Sequence, residues 1–195
     1  MGKAILFSAP SGCGKTTIIR ELMQYFDCFG FSISATSRQP RAGEVDGKDY
    51  YFLSHNEFKR RVDHGDFLEW EEVYAGTCYG TLKSEVERLW AEGRVAVFDV
   101  DVNGGRNIKR HFGADALSIF VMPPSVEVLE QRLRSRGTES EEAIAKRLGR
   151  SAEELKQAPQ FDVTIVNDDL PRAVAETRRV IEDFLKNDPN SPLNT

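Results

Sequence analysis

The stretch APSGCGKT at residues 9–16 decides the fold that this sequence predicts. An apolar run from Ala4 to Ala9 leads into it, and a helical pattern from Thr16 to Phe26 follows it. Glycines let backbone N–H groups turn towards an anion without a Cβ in the way, and the following helix adds the positive end of its dipole. The stretch therefore predicts a phosphate-binding loop between a strand and a helix. Ala9 stands where the usual motif has its first glycine, and we expect its Cβ to be tolerated at a negative φ.

The polar residues of this loop predict a site for ATP and Mg²⁺. Lys15 is expected to reach the β- and γ-phosphates, and the Thr16 hydroxyl is expected to hold the metal ion. Asp99 ends an apolar run, and a carboxylate at the end of a core strand beside such a loop suits a second Mg²⁺ support. A Gly-rich turn with a solvated lysine, or an Asp that caps a loop, is the plainer interpretation of each residue alone. The predicted ATP-binding positions of the loop are Ser11, Gly12, Cys13, Gly14, Lys15, Thr16 and Thr17.

Three further apolar runs resemble buried parallel strands because they lack polar alternation. Helical patterns span Leu82 to Ala91 and begin again near Pro171, which suits a first-turn position. Alternating strands and helices predict an α/β fold of the P-loop NTPase class, with a parallel sheet in three layers. The three runs are Arg94 to Val100, Leu117 to Met122 and Asp162 to Val166.

Two stretches interrupt this alternation and divide the chain. Residues 34–81 are rich in Gly, Tyr, Arg and Asp and predict a small β-rich insert. Residues 126–157 predict two charged helices around Gly137, the second capped by Thr138 with Glu141. The rest is assigned to a core at residues 1–33, 82–125 and 158–187 and to a flexible tail at 188–195.

Composition restricts the class of protein. A net charge of -5 over 195 residues disfavours nucleic-acid binding. No apolar run approaches the ~20 residues of a membrane helix, and the first residues lack a signal-peptide layout. Cys13, Cys28 and Cys78 show no metal-ligand spacing and predict free thiols in a reducing, cytoplasmic setting. We therefore expect no nucleic-acid or membrane partner, and either a monomer or a homo-oligomer.

A second anion site is predicted around two arginines. Arg38 and Arg41 lie three residues apart across a proline, and two guanidinium groups suit a phosphate dianion. Tyr50 and Tyr79 could add hydroxyl donors. A basic surface loop would explain any one arginine, but the set of four favours a phosphate site.

The phosphate-binding loop, the arginine-rich segment and several further segments together resemble the guanylate kinases, from about Ala4 to Leu185. The resemblance implies transfer of the γ-phosphate of MgATP to GMP or dGMP, giving ADP and GDP or dGDP, in purine nucleotide metabolism. It also implies that residues 34–81 are a GMP-binding insert and residues 126–157 a helical lid. The segments that carry it are APSGCGKTT, TSRQPRAGEVDGKDYYF, GDFLEW, YGT, FDVDVNG, PPS, RLRSRGT, KRL and IVNDD.

The resemblance implies which residues recognise the acceptor. Ser34, Glu69 and Asp101 correspond to positions that hold guanine, whose N1–H and N2–H₂ groups both donate. A carboxylate such as Glu69 can accept from both, whereas adenine would leave it unpaired, and such sites discriminate by about 10⁴-fold or more. Thr81 stands where the family often has Ser. The residues implied to bind the GMP phosphate are Arg38, Arg41, Tyr50 and Tyr79.

The resemblance also implies a cationic lid over the transferred phosphoryl group. Arg136 and Arg147 are expected to act with Lys15 in catalysis, and Arg132 and Asn167 to contact ATP. A solvated charged helix is the alternative, and it is preferred for Arg134 and Lys146. No general base is evident, since the three histidines, His55, His64 and His111, lie in polar contexts and are expected at the surface.

Two other functions remain open at this stage. A non-catalytic guanylate-kinase-like binding module is disfavoured by the intact Gly14, Lys15 and Thr16. A kinase of another phosphorylated acceptor, such as a sugar phosphate, is disfavoured by the guanine-binding positions. Cys13 and Cys78 flank the expected site, which leads to the hypothesis that activity is sensitive to thiol reagents.

Overall fold

Alternate residues of the first strand pack on opposite faces of one sheet, and this sets the layers of the fold. In the computed structural model, which describes residues 2–74, 76–135 and 141–186, Ile5 and Phe7 join one apolar cluster while Ala4 and Leu6 join another. All four side chains are fully buried. Because both faces of the strand are apolar, helices must cover both sides of the sheet.

The described residues form nine β-strands and seven α-helices. The strands, β1 to β9, span Ala4–Ser8, Phe29–Phe31, Ala35–Thr36, Tyr51–Phe52, Phe67–Tyr74, Thr77–Leu82, Val95–Asp99, Ala116–Met122 and Val163–Val166. The helices, α1 to α7, span Lys15–Tyr25, His55–His64, Lys83–Ala91, Val102–Phe112, Val126–Arg134, Glu141–Leu155 and Leu170–Lys186. Two 3-10 turns lie at Gly113–Asp115 and Ala158–Gln160.

The main sheet is parallel and has the strand order β2-β7-β1-β8-β9. Helices α1, α5 and α7 supply apolar residues to one of its faces, and α3 and α4 supply them to the other. Strands β1 and β7 are neighbours, with Phe7 opposite Asp99. The loop that follows β1 therefore lies beside the carboxyl end of β7, which is where parallel α/β sheets place their ligands.

A second, smaller sheet has the order β4-β3-β6-β5. Helix α2 packs on it through Phe58, whose ring stacks on Phe67 with 4.4 Å between centroids. The helix begins after Ser54, whose hydroxyl accepts a hydrogen bond from the Glu57 amide, and ends at Gly65 with a left-handed φ of 78°. This sheet carries Glu69 on β5 and Tyr79 and Thr81 on β6, three of the residues expected to bind the acceptor.

The parallel sheet with helices on both faces confirms the predicted α/β class. The four predicted strands correspond to β1, β7, β8 and β9, each within one residue at either end. Sequence reasoning missed β2, which has only three residues, and α4, whose adjacent glycines lower its helix propensity. It also missed α2, so the stretch predicted as β-rich contains a ten-residue helix.

The predicted division into core, insert and lid stays a prediction, and the proposed cap of α6 at Thr138 lies outside the described residues. None of the helices in the described ranges combines the length and the apolar character that crossing a bilayer requires.

Candidate active site

The loop after β1 has the backbone of an anion cradle. Gly12 and Gly14 have φ values of 96° and 86°, which L side chains rarely adopt. A Cβ on Gly14 would lie 2.3 Å from the side-chain nitrogen of Asn167, so space also requires glycine there. None of the non-glycine residues in the described ranges has a positive φ, which confirms that Ala9 fits without backbone strain. Helix α1 begins directly after Gly14, with its free amides at the loop.

Asp99 joins the two loop residues that were expected to serve the triphosphate. Its Oδ1 lies 2.5 Å from Lys15 Nζ, and its Oδ2 accepts a hydrogen bond of 3.3 Å from Thr16 Oγ1. Lys15 also donates to the carbonyl of Val100 at 3.0 Å. The structure therefore brings the predicted metal ligands and the predicted catalytic lysine together, with the ammonium group paired to the carboxylate.

Thr16 and Asp99 also fit a magnesium ion. Mg²⁺ prefers oxygen ligands, keeps several waters, and in nucleotide sites uses one or two protein groups beside the phosphates. The two oxygens, 3.3 Å apart, can approach one ion together. Within the described ranges, no group of three or more His, Cys, Asp and Glu side chains forms a dedicated metal cage, so this pair is the better candidate.

Helix α6 reaches the loop from the opposite side of a cavity of about 420 Å³. Arg147 donates from Nη1 to Ser11 Oγ at 3.1 Å. Arg150 Nη2 lies 3.9 Å from Asp101 Oδ2, so the same helix also contacts the predicted guanine pocket. The described part of the chain thus places two cations between the predicted donor and acceptor sites. Arg136, the other predicted catalytic arginine, lies outside the described residues.

Asn167 and Arg132 stabilise the phosphate-binding loop through a chain of two hydrogen bonds. Asn167 is 5% exposed and donates from Nδ2 to the Cys13 carbonyl at 2.8 Å. Arg132 donates from Nη2 to the Asn167 carbonyl at 2.9 Å. The side-chain amide of Asn167 therefore binds the backbone of the loop. The expected contacts of Asn167 and Arg132 with ATP stay predictions.

Arg38 lies at the centre of the predicted phosphate site of the acceptor. It donates from Nε to Tyr79 Oη at 3.2 Å, and its guanidinium lies 5.0 Å from the ring centroid of Tyr50. Both Nη atoms bind the Glu44 carboxylate, at 2.6 and 2.7 Å. Glu44 also accepts the Arg41 amide at 2.7 Å, while the side chain of Arg41 is exposed. Three of the four predicted residues thus meet around one guanidinium, and Glu44, which sequence reasoning did not assign, organises them.

Glu69 is the acidic residue of the predicted guanine pocket. Its Oε1 accepts a hydrogen bond of 2.8 Å from Thr81 Oγ1. Burial, with a smaller contribution from the nearby charge of Asp101, raises the pKa of Glu69 to about 7. A Cβ on Gly104 would lie 2.9 Å from Glu69 Oε2, so any larger residue there would force the carboxylate to shift. Asp101 Oδ1 accepts the Gly104 amide at 2.8 Å and thereby caps α4.

Glu71 is a further acid of this pocket that the sequence reasoning missed. It lies two residues from Glu69 on the same face of β5 and pairs in register with Tyr79. Burial raises the pKa of Glu71 to about 7, and a hydrogen bond with Asp101 contributes to the rise. The sequence did contain a signal for Glu71, because in FLEWEEVY, residues 67–74, it lies two positions after Glu69 and so on the same face of a strand.

A family model described as guanylate kinase matches residues 1–184 of the chain. The chain belongs to the guanylate kinase family. The guanylate kinase of Bacteroides thetaiotaomicron is 53% identical over 184 residues, which cover 94% of this chain and 90% of the relative. That of Porphyromonas gingivalis is 49% identical and covers 95% and 99%. The crystal structure of guanylate kinase from Anaplasma phagocytophilum superposes with a TM-score of 0.72 at 28% identity, covering 93% and 85%.

In this guanylate kinase family member, the cysteines near the site are buried. Cys13 is fully buried, and burial raises its pKa to about 12. Cys78 is 6% exposed, and its pKa is raised mainly by burial. The thiolate is the reactive form, so burial disfavours reaction of these thiols and argues against the hypothesis of a thiol-sensitive site. All three histidines are exposed, which confirms their expected place at the surface.

Proposed function

We infer that this chain is an ATP:GMP phosphotransferase, which transfers the γ-phosphate of ATP to GMP and releases ADP and GDP. Membership of the guanylate kinase family over residues 1–184 carries this conclusion. The neighbouring positions of the anion loop, the two cations of α6 and the acidic pocket around Glu69 support it. We propose dGMP as a second acceptor.

The proposed mechanism rests on charge. Two unit charges about 4 Å apart repel by about 4 kcal/mol at an effective dielectric near 20, and ATP with GMP brings several such pairs together. Lys15 and Arg147 are proposed to offset this repulsion at the transferred group, together with Arg136. The acceptor oxygen belongs to a phosphate that is already anionic, so no general base is required.

We propose that the loop amides and Thr17 bind the ATP phosphates, and that Thr16 and Asp99 hold Mg²⁺. When bound, the ion would neutralise charge on the phosphate oxygens and align them. Closure of α6 over the cavity would exclude water, so that ATP is not hydrolysed in place of GMP phosphorylation. In this scheme Arg147 changes its partner from Ser11 to a phosphate oxygen.

We propose that Glu69 accepts from guanine N1–H and N2–H₂, with Ser34, Thr81 and Asp101 completing the pocket. Thr81 already donates to Glu69, which fixes the carboxylate in one orientation. Arg38, Arg41, Tyr50 and Tyr79 are proposed to bind the GMP phosphate. We further propose that the protein acts in the cytosol, without nucleic-acid or membrane partners, where its thiols stay reduced.

A coupled ADP-release assay tests this function. The wild-type chain is offered MgATP with GMP, dGMP, AMP, UMP or ribose bisphosphate in turn. We expect turnover with GMP and dGMP and little with the other three. A binding module would release no ADP with any acceptor, and a sugar-phosphate kinase would prefer ribose bisphosphate. Either outcome would overturn the proposal.

A further inference from the structure

Glu85 is a buried carboxylate outside the proposed site. It lies in the first turn of α3, and its side chain is only 1% exposed. An ionised carboxylate that leaves water must be paired and hydrogen-bonded, because its desolvation is otherwise costly. The partners of Glu85 therefore indicate what its burial achieves.

These partners come from three different parts of the fold. Arg88, one turn along α3, donates from Nε to Oε2 at 3.1 Å and from Nη2 to Oε1 at 2.9 Å. The backbone amide of Ile33, in the link between β2 and β3, donates to Oε1 at 3.1 Å. The hydroxyl of Tyr51, in β4, donates to Oε2 at 2.9 Å. Since β2 belongs to the main sheet and β3 and β4 to the second sheet, one carboxylate ties α3 to the junction between the two sheets.

Both remote partners adjoin residues of the proposed GMP site. Ile33 precedes Ser34, which is proposed to contact guanine, and Tyr51 follows Tyr50, which is proposed to contact the phosphate. The Tyr51 amide in turn donates to the Ser34 carbonyl at 2.9 Å. Glu85, Ile33, Ser34 and Tyr51 thus form a closed ring of covalent and hydrogen bonds that fixes the spacing between two sides of the site.

Arg88 alone would suffice if Glu85 served only its own helix. Glu87, two residues further along α3, is exposed, and Glu92 binds the other side of Arg88 at the surface. Pairs of this kind contribute about 0.3–0.5 kcal/mol to a helix and need no burial. The donation of a backbone amide and a tyrosine hydroxyl from two other elements distinguishes Glu85 from both.

We propose that Glu85 is a positioning residue for the acceptor site, which holds Ser34 and Tyr50 in register through Ile33 and Tyr51. It does not touch the substrate. This inference rests on the proposed phosphorylation of GMP. Loss of the ring should loosen GMP binding, whereas the ATP loop, built on β1 and α1, lies outside the ring and should keep its affinity.

Three variants and one control test the inference by steady-state kinetics with each substrate varied in turn. Glu85→Gln keeps the shape of the side chain and removes its charge. Tyr51→Phe keeps the ring and removes the hydroxyl, and the double variant combines both. Glu87→Gln makes the same chemical change on the exposed face of α3. Equilibrium GMP binding and a thermal melt accompany each variant, so that affinity and folding are followed separately.

We expect the KM and Kd for GMP to rise by about threefold to tenfold in each single variant, which is the range for the net contribution of one ordinary hydrogen bond. The KM for ATP should stay within about twofold, and the double variant should fall short of the product of the singles because the two groups share one bond. Glu87→Gln should match the wild type.

Unchanged GMP affinity in the folded Glu85→Gln and Tyr51→Phe proteins would overturn the inference and leave the proposed function standing. An equal rise in KM for ATP and GMP would also overturn it, since that would indicate a general loss of structure. Absence of GMP phosphorylation by the wild type would overturn the proposed function, and this inference with it.

Discussion

Arg38 and Glu44 hold each other by two parallel hydrogen bonds, from Nη1 to Oε2 at 2.6 Å and from Nη2 to Oε1 at 2.7 Å. The hydrogen bonds from Arg38, and then the one from the Arg41 amide, lower the pKa of Glu44 to about 2. Glu44 therefore stays ionised throughout the physiological range. Arg38 is oriented before any ligand arrives, which reduces the rotamer freedom that a phosphate would otherwise have to restrict.

Glu44→Gln should weaken GMP binding because Arg38 loses its fixed orientation. We expect the KM for GMP to rise by about tenfold, with little change in the KM for ATP. Glu57→Gln is the matched control, since Glu57 pairs with Arg60 and Arg61 on α2 in the same chemical manner but outside the proposed site. A KM for GMP that falls in Glu44→Gln would instead show that Glu44 competes with the phosphate.

Lys15→Ala should leave a folded protein in which phosphoryl transfer is nearly abolished. We expect kcat to fall by about a thousandfold, the loss typical of a group that stabilises transition-state charge. Circular dichroism and a thermal melt would check the fold, and the ADP-release assay the rate. Turnover above a tenth of the wild-type rate, as an order of magnitude, would contradict the proposed role.

Arg147→Ala should lower kcat by about tenfold to a hundredfold, because one cation is lost from the transferred group. Arg147→Lys should restore part of the rate, since the charge returns without the planar fork. Lys146→Gln removes a charge from the neighbouring, exposed position on α6 and serves as the control. If Arg147→Ala and Lys146→Gln lowered kcat equally, the cause would be the net charge of the helix, and the specific role of Arg147 would be contradicted.

GMP binding should strengthen as the pH rises through 7. Burial raises the pKa of Glu69 to about 7, and that of Glu71 to about 7 as well, so both are partly protonated at neutral pH. Only the ionised Glu69 can accept both guanine donors, so we expect the KM for GMP to fall between about pH 6 and about pH 8. Glu69→Gln should flatten this profile and reduce the preference for GMP over AMP. A wild-type KM for GMP that is constant over this range would refute the assignment.

Glu69 and Glu71 should also make folding stability depend on pH, but in the opposite direction: stability should fall as the pH rises. Their unfolded-state pKa is lower than their folded-state pKa, so the unfolded chain loses its protons first as the pH rises. The free energy of unfolding should therefore fall as the pH rises from 4.5, the ordinary pKa of a glutamate, to about 7. Urea unfolding of the ligand-free protein across this window checks the direction, and Glu69→Gln should reduce the slope.

Alkylation with iodoacetamide should leave the folded protein active. Burial raises the pKa of Cys13 to about 12, and burial also raises the pKa values of Cys28 and Cys78. The thiolate fraction at pH 8 is therefore small in all three. Mass spectrometry should find modification of all three cysteines only after denaturation. Rapid loss of activity with a single modified cysteine would contradict the expectation.

The sequence was most informative about functional residues that lie at the end of a buried strand. Asp99 could be placed beside Lys15 and Thr16 because parallel neighbours end at one edge of a sheet, and β1 and β7 are such neighbours. The α/β class followed from the unbroken apolar runs. The short β2, of three residues, and the glycine-containing α4 lacked such signals, because tertiary pairing and a side-chain cap rather than propensity hold them in place.

Contacts between distant segments could not be predicted in the same way. Glu44 lies in an irregular loop without periodicity, so nothing indicated that both its oxygens face Arg38. Glu85 did leave a signal, since it shares one face of α3 with Val86 and Leu89, where a charged residue requires a partner. Two of its three partners, Ile33 and Tyr51, however, lie more than thirty residues away, and only the fold brings them to Glu85.

Asp101 begins α4 and also borders the pocket that is proposed to distinguish one nucleobase from another. A lineage that drifted towards a different acceptor by changing this residue would therefore loosen the first turn of a core helix, at a cost of about 1 kcal/mol. Replacing Ser34 or Thr81 would not remove a helix cap, since neither residue starts a helix. Evolutionary change in substrate preference should thus appear first at those two positions, with Asp101 among the last to vary.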